Sequence, residues 1–274
     1  MRKKYFSIRI LHCIWIGCLS IYFTQQLAAQ KLDMVLLDRF ANSPRREMIK
    51  LFYQLNQENP AWIGHTVRQK ELLSLIEQAY LFGLNEADYQ VVFLHHYFTT
   101  GSLPTREDSI EADIRFTDAA LHLFSDIKGG SVPPTLRYQG LTYTPDLTSI
   151  AQGLKKHLET GQLKRFFHSL QPRSKEYEVA LQKLNGLQRM QNQKDIGETS
   201  VRSTLADSTN RPLLVRLYQL GITDRGDTVA SKKKIKEYIT AAQDEFDLVK
   251  DGKLGPVTLR ALNTTLKRRI DALK

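Results

Sequence analysis

From residue 31 to residue 190, apolar side chains recur at intervals of three and four positions, and no stretch shows sustained alternation of apolar and polar residues. This spacing places apolar residues on one face of an α-helix, whereas a half-buried strand requires alternation. The sequence therefore predicts a mainly α fold. Examples of such stripes are Met48, Leu51, Phe52 and Leu55; Leu72, Leu73, Ile76 and Ala79; Leu147, Ile150, Leu154 and Leu158; and Tyr177, Leu181, Leu184 and Leu187.

Two serines precede predicted helices. Ser43 is followed by Pro44, and proline is favoured at the first helical position because no N–H is needed there. Ser174 precedes the stripe that begins at Tyr177. Because a serine hydroxyl can accept a hydrogen bond from a free backbone N–H of the first turn, we expect Ser43 and Ser174 to be N-caps.

Residues 1–29 have the three-part pattern of a secretory signal peptide. Residues 2–4 are basic, residues 10–23 form a mostly apolar run of 14 residues, and Ala29 ends a pair of small residues. At 1.5 Å per residue the run spans about 21 Å, short of the roughly 30 Å core of a bilayer, which favours cleavage near Ala29 over an uncleaved anchor. Lipid attachment at Cys18 is a further alternative, disfavoured because the apolar run continues beyond it. We expect export to the periplasm or cell envelope.

Both cysteines of the chain, Cys13 and Cys18, lie within this segment. The exported chain is therefore expected to have no disulfide, no thiolate metal site and no cysteine nucleophile. Removing the segment's four basic residues leaves 35 basic and 29 acidic residues, a net charge of +6. Because no dense Lys/Arg stripe interleaved with aromatic residues accompanies this mild excess, we expect no nucleic-acid partner.

Residues 31–190 also carry a series of short motifs in a distinctive order. In that order they resemble the scaffold domain of the large periplasmic L,D-transpeptidases, enzymes that cross-link peptidoglycan, and the resemblance implies a helical scaffold domain over residues 31–190. The other interpretation is that these residues are only the caps, turns and core aromatics of a different helical bundle. The motifs are Phe52-Tyr53, Pro60-Ala61-Trp62, Gly83-Leu84, Asp88-Tyr89, Asp113, Thr117-Asp118-Ala119-Ala120, Gly129-Gly130 with Pro133, Leu170-x-Pro172, Tyr177 and Leu181.

The remainder of the chain shows a second, smaller pattern. Residues 191–210 are polar and lack apolar periodicity, which predicts a linker. Residues 211–266 resemble the three-helix peptidoglycan-binding module, which implies a small helical domain whose partner is peptidoglycan. The residues that carry this resemblance, and that form the candidate binding site, are Asp251, Gly252, Gly255, Thr258 and Asn263.

Several of these residues have expected structural roles. Asp251 and Gly252 are typical of a turn in which glycine adopts a positive φ. Gly255 is expected to allow a close approach of the following helix, and Thr258 to dock that helix. The site is therefore interpreted as partly structural.

The module departs from the family pattern at two positions. Ala242 stands where the family usually has phenylalanine, which removes a core aromatic that Phe246 can replace, and Asp247 stands where it usually has glycine, which predicts a changed turn. These departures weaken the expectation of glycan binding more than that of the fold. Lys232 to Lys234 are predicted to form a basic, solvated loop before a helix that begins near Lys236.

Other kinds of site lack residues that they require. Asp247, Asp251 and Gly252 fit three positions of a calcium-binding EF-hand loop, but Val249 and Thr258 occupy positions that should ligate the ion. The histidines lack zinc-site spacing, and no nucleophile elbow or phosphate-binding loop occurs. We therefore expect no metal and no cofactor.

The enzymes that the chain resembles act through a cysteine thiolate activated by a nearby histidine, on a domain that follows the binding module. Here residues 267–274 are interpreted as the start of the connection to such a domain, and no catalytic residue is identified. The leading hypothesis is a non-catalytic scaffold and wall-binding protein that contributes to cross-linking through a separate catalytic or wall-synthesis protein. The alternatives are a truncated L,D-transpeptidase and an unrelated helical adaptor of the cell envelope.

Overall fold

The structure, a computed structural model, describes residue 40 and residues 43–100, 105–132, 146–193, 199–202, 211–223 and 229–274. The predicted signal segment, with Cys18 and Ala29, lies outside the described residues, as does Pro133. Eleven α-helices and two short 3-10 helices make up the described part of the chain, which contains no strand. The predicted mainly α fold is confirmed.

The chain divides into two compact units, with the main boundary between Pro172 and Arg173. The first unit contains six α-helices, and a 3-10 helix at Glu86–Tyr89. The six are α1 (Arg46–Leu55), α2 (Thr66–Glu77), α3 (Val91–Thr100), α4 (Arg106–Gly129), α5 (Leu147–Thr160) and α6 (Leu163–Leu170).

Helix α4 is the centre of the first unit. It has 24 residues and packs against α1, α2, α3, α5 and α6. Phe116 on α4 stacks on Trp62 at 5.7 Å between ring centroids, and Phe124 meets Phe166 edge-on at 5.3 Å. Such aromatic pairs bury large apolar areas and add about 0.5–1.5 kcal/mol each beyond that burial, so α4 holds the unit together.

The second unit contains residues 81–83 and residues 173–274. Helices α7 and α11 pack against each other around Leu184, Leu187, Leu266 and Ile270, which are all buried. A separate core of Leu214, Leu217, Ile235, Ile239, Leu262 and neighbouring residues joins the other three helices. The five α-helices described in this unit are α7 (Lys175–Gln191), α8 (Arg211–Gln219), α9 (Lys232–Glu245), α10 (Pro256–Leu262) and α11 (Leu266–Leu273).

This division differs from the predicted boundaries at both ends of the second unit. Helix α7 falls within the predicted scaffold domain, yet it packs with α11, the segment interpreted as a connection. Within the predicted linker, Val201 is only 5% exposed and belongs to the core of the module. A single apolar residue in a polar stretch has no periodicity, so the sequence pattern could not reveal its burial.

The two predicted N-caps have different outcomes. The Ser174 hydroxyl accepts a hydrogen bond from the N–H of Tyr177 at 3.2 Å, which confirms it as the N-cap of α7. Helix α1 instead begins at Arg46, after Arg45, so the cap expected at Ser43 is wrong. Ser43 Oγ accepts from the N–H of Arg45 and contacts Asp118 Oδ1 at 3.3 Å, an arrangement that fixes a turn before the helix.

No helix in the described parts of the chain combines the length and the apolar character needed to cross a bilayer.

Candidate functional site

Three of the five predicted site residues, Asp251, Gly252 and Thr258, surround the side chain of Gln243, which is 2% exposed at the end of α9. Its Nε2 donates to Asp251 Oδ1 at 2.7 Å, to the carbonyl of Lys253 at 3.1 Å and to Thr258 Oγ1 at 3.2 Å. Its Oε1 accepts from the N–H of Gly252 at 2.8 Å. One buried amide therefore organises the whole turn, and a buried amide is stable only when its donors and acceptors are bonded.

Asp251 lies on the exposed side of the turn. Its Oδ1 also accepts from the N–H of Lys253 at 2.9 Å. This bond, followed by that from Gln243, lowers the pKa of the Asp251 carboxyl below its usual value. Asp251 is thereby held as a charged turn residue whose bonded oxygen is fully engaged within the protein.

The two glycines of the turn differ in backbone conformation and in the space available to a Cβ atom. Gly252 has φ +68°, and a Cβ at this position would lie 2.6 Å from Cγ of Lys236 and 3.1 Å from Oγ1 of Thr240. Its positive φ confirms the turn prediction. Gly255 has φ −73° and is the N-cap of α10, and no described atom lies within 4 Å of a Cβ built there. The close approach expected at Gly255 is therefore wrong.

Asn263 lies apart from the turn and has a structural role. Its Oδ1 accepts from the N–H of Val201 at 2.7 Å, and its Nδ2 donates to the Val201 carbonyl at 2.8 Å. This reciprocal pair fixes Val201 in the core of the module. The structure thus brings together Asp251, Gly252 and Thr258 around Gln243, whereas Asn263 acts on the preceding segment.

A groove of about 290 Å³ opens beside the turn. Two of the residues along it are exposed valines, Val249 at 83% and Val257 at 52%. Ligand-binding clefts combine apolar side chains with a few placed polar groups, and the lining of this groove contains both. The lining residues are Gln243, Leu248, Val249, Asp251, Lys253, Gly255, Pro256, Val257 and Thr258.

The turn at Asp247, expected to change, is retained. Asp247 has φ +52°, the left-handed conformation that glycine adopts most easily. The N–H of Leu248 donates to the carbonyl of Gln243 at 2.8 Å, and the N–H of Asp247 donates to that of Asp244 at 3.1 Å. These two bonds form a Schellman C-cap, which aspartate adopts here at a conformational cost.

Ala242 and Phe246 show how the departure at Ala242 is accommodated. Ala242 is fully buried in the core of the module, and Phe246 packs partly buried against the same core. The structure therefore provides an aromatic side chain near the position where the family has one.

The three lysines predicted as a loop belong to a helix. Helix α9 begins at Lys232, and Ser231 is its N-cap, with Oγ accepting from the N–H of Lys234 at 3.3 Å. The predicted helix start near Lys236 is therefore wrong by about one turn. All three lysines are exposed in this first turn, where positive charge is unfavourable because the helix N-terminus is itself partly positive.

Sequence reasoning missed Arg216, which is fully buried within the module. Its Nε donates to the carbonyl of Leu262 at 2.6 Å, and a terminal nitrogen donates to the carbonyl of Thr264. Another donates to Gln219 Oε1 at 3.1 Å. Arg216 thereby satisfies free carbonyl groups at the end of α10. It stands among leucines in the sequence, and nothing in its spacing distinguishes it from a surface arginine.

In the first unit, motif residues far apart in sequence meet around Asp113, which is fully buried. Its carboxylate accepts from the N–H groups of Ala61, Trp62 and Ile63 at 2.8 to 3.1 Å, and from the hydroxyl of Tyr53 at 2.7 Å. Burial raises the pKa of the Asp113 carboxyl, while the backbone bonds oppose that rise.

A second carboxylate, Asp118, fixes the entry to α1. It accepts from Nε of Arg45 at 2.8 Å and from Nε2 of Gln90 at 2.8 Å. The groups of both clusters have partners within the protein, so the clusters explain the fold of this unit.

In the described parts of the chain, no group of three or more His, Cys, Asp or Glu residues is placed to hold an ion.

Comparison with models of known protein families matched part of the chain. A family model described as Scaffold domain matches residues 47–184, which is half of the chain. The matched region runs from α1 into α7 and contains Tyr53, Trp62 and Asp113. No curated protein matches the chain.

Proposed function

Because the chain belongs to the Scaffold domain family, the scaffold domain found in L,D-transpeptidases, we propose that it is an exported peptidoglycan-binding scaffold protein that acts in cell-wall cross-linking. In this role the first unit is the scaffold, and residues 211–266 are the part that binds peptidoglycan.

The observation that carries the proposal is the Gln243-centred turn beside its groove. Sugar rings present apolar faces and hydroxyl groups, and a groove that combines exposed valines with a polar floor suits both. Gln243 and Thr258 hold the floor rigid through buried hydrogen bonds. A rigid site loses less conformational entropy on binding than a mobile one.

The charges of the module support an anionic partner. Peptidoglycan stem peptides carry carboxylates. Lys253 lines the groove together with Asp251, and Lys236 packs against the turn at Gly252. Three more exposed lysines occupy the first turn of α9, where a bound anion would offset the unfavourable interaction of positive charge with the helix N-terminus. Surface charges of this kind mainly raise the rate of association, and they do so less at high salt.

Cross-linking itself needs a nucleophile. Residues 30–274 contain no cysteine, so in the proposed role the thiolate comes from a catalytic protein or domain outside these residues. The purified chain should therefore form no new cross-link when it is incubated with donor and acceptor tetrapeptide stems and the products are separated by chromatography. A cross-linked product above the level without protein would contradict this part of the proposal.

Co-sedimentation with purified sacculi tests the binding. Val257→Glu places a charge at the groove and should reduce the bound fraction several-fold. Val179→Glu is the matched control, because Val179 is 54% exposed on α7 and does not line the groove. If both variants bind sacculi as well as the unmodified protein does, the groove is not the binding surface.

Export is tested separately. The basic start, the short apolar run and the small residues at Ala28 and Ala29 support cleavage by a signal peptidase. Mass spectrometry of the protein from its native host should find an N-terminus near Gln30. A chain that retains Met1, or that carries lipid on Cys18, would contradict the proposal.

A further inference from the structure

A second pocket lies within the second unit, among α7, the end of α9 and α11. Its volume is about 180 Å³. Its lining includes three leucines, Leu187, Leu220 and Leu273, together with two basic side chains, Lys183 and Arg269, and one acid, Glu245. The pocket thus combines apolar and charged groups.

Arg269 is held in this pocket with unused hydrogen-bonding capacity. Its guanidinium carbon lies 4.4 Å from the ring centroid of Phe246, and one terminal nitrogen donates to the carbonyl of Ala261. Its Nε is shielded from solvent and has no hydrogen-bond partner among the described residues. The donors of Arg269 that a ligand can reach are therefore its terminal N–H groups, of which one bonds to the Ala261 carbonyl and the others can donate to a ligand acceptor.

The charges around Arg269 also favour an anion. Burial, and then the positive charge of Arg216, lower the pKa of the Arg269 guanidinium. The one acid that lines the pocket, Glu245, is paired with Lys183. Of the lining residues, two are basic and one is acidic, so the pocket carries a net charge of +1.

We propose that this pocket binds a single carboxylate attached to a small apolar group, the chemistry of a peptide C-terminus that ends in an alanine-like residue. The planar guanidinium of Arg269 matches a carboxylate, with terminal N–H groups donating to its two oxygens. The leucine side chains would contact the apolar part of the ligand. A charge of −1 balances the +1 of the pocket, whereas a phosphate dianion would exceed it.

The test uses the full chain, labelled with nitrogen-15, and three probes: N-acetylalanine, its amide, and inorganic phosphate. N-acetylalanine should shift the side-chain Nε–H resonance of Arg269 and the backbone resonances of α11, with an affinity at least tenfold higher than that of either other probe. This comparison is made on the unmodified protein, so it does not depend on whether a variant folds.

Two variants complete the experiment. Arg269→Gln should abolish the preference for the carboxylate over the amide. Arg268→Gln, the same change at the exposed neighbouring position on α11, should leave it intact. Equal shifts from the acid and the amide, tighter binding of phosphate, or a carboxylate preference that survives in a folded Arg269→Gln would each overturn the proposal. This site is distinct from the Val257 groove, so sacculus binding can fail without affecting this result.

Discussion

The hydroxyl of Tyr53 on α1 donates a 2.7 Å hydrogen bond to Asp113 on α4, although the two residues are 60 positions apart in the chain. Burial, and then the charge of Asp113, raise the pKa of Tyr53 well above its usual value, so the hydroxyl remains a donor at every physiological pH. Because its single hydrogen is directed to Asp113, the hydroxyl of Thr117 is the donor in its 2.8 Å contact with Tyr53. One tyrosine thereby connects two helices and the backbone turn that Asp113 holds.

Asp113→Asn should destabilise the first unit by about 2–4 kcal/mol. The amide would direct an NH₂ group at backbone N–H donors that now share the two carboxylate oxygens, and at least one buried group would lose its partner. Chemical denaturation of the purified protein measures the change. Glu107→Gln, which removes an exposed acid in the first turn of the same helix, should alter stability by less than about 0.5 kcal/mol. Similar losses in both variants would show that removing a charge from α4, and not the Asp113 network, controls stability.

The lowered pKa of His122 should make the free energy of unfolding depend on pH. Its Nε2 lies 3.4 Å from Asp126 Oδ2, which also accepts from the hydroxyl of Tyr89 at 2.9 Å. Burial, and then Arg45, lower the pKa of His122 below 6.5. In acid the unfolded chain binds a proton at His122 before the folded chain does, so the free energy of unfolding falls as pH drops below about 6.5, by at most about 1.4 kcal/mol per pH unit.

The measurement compares the unmodified protein with His122→Gln at pH 7.5 and pH 5.5. Other titrating groups are common to both proteins, so the difference between them isolates His122 and its effect on Asp126. The stability advantage of the unmodified protein should shrink at the lower pH. An advantage that grows on acidification would mean that the pKa of His122 is raised by Asp126 instead.

Asp247→Gly should stabilise the second unit by about 1 kcal/mol, because glycine adopts the left-handed conformation at φ +52° without steric cost. Asp247→Ala is the matched control, since it removes the same charge but keeps a Cβ. It should not increase the stability of the second unit. Thermal unfolding followed by circular dichroism measures both. If the alanine variant is stabilised as much as the glycine variant, the destabilising feature of Asp247 is its carboxylate and not its backbone conformation.

The helices could be predicted because apolar spacing is a local property of the sequence. The stripe from Tyr177 to Leu187 and its cap at Ser174 predicted α7 directly, and Asp251-Gly252 predicted the turn. The packing of α7 with α11 could not be predicted, because both helices are amphipathic and spacing does not specify which faces meet.

The centre of the candidate site was missed for a related reason. Gln243 is a polar residue on a helix, where the usual expectation is solvent exposure. Only the fold shows that its side chain is buried, because its partners Gly252 and Thr258 follow 9 and 15 positions later. Arg216 is a similar case. Buried polar side chains that stabilise turns and helix ends carry no periodic signal in the sequence.

The two glycines of the turn provide a matched pair of substitutions in one segment. Gly252→Ala should destabilise the second unit by about 1–3 kcal/mol, because an L-residue at φ +68° is strained and its Cβ would meet Lys236. Gly255→Ala should be neutral or stabilising by up to about 1 kcal/mol, since φ −73° suits alanine and no described atom is close. Denaturation curves give both values, and sacculus co-sedimentation of the same samples shows whether binding follows stability. Equal destabilisation by the two substitutions would contradict the backbone argument, and binding that persists after Gly252→Ala unfolds the turn would place the peptidoglycan contact outside the groove.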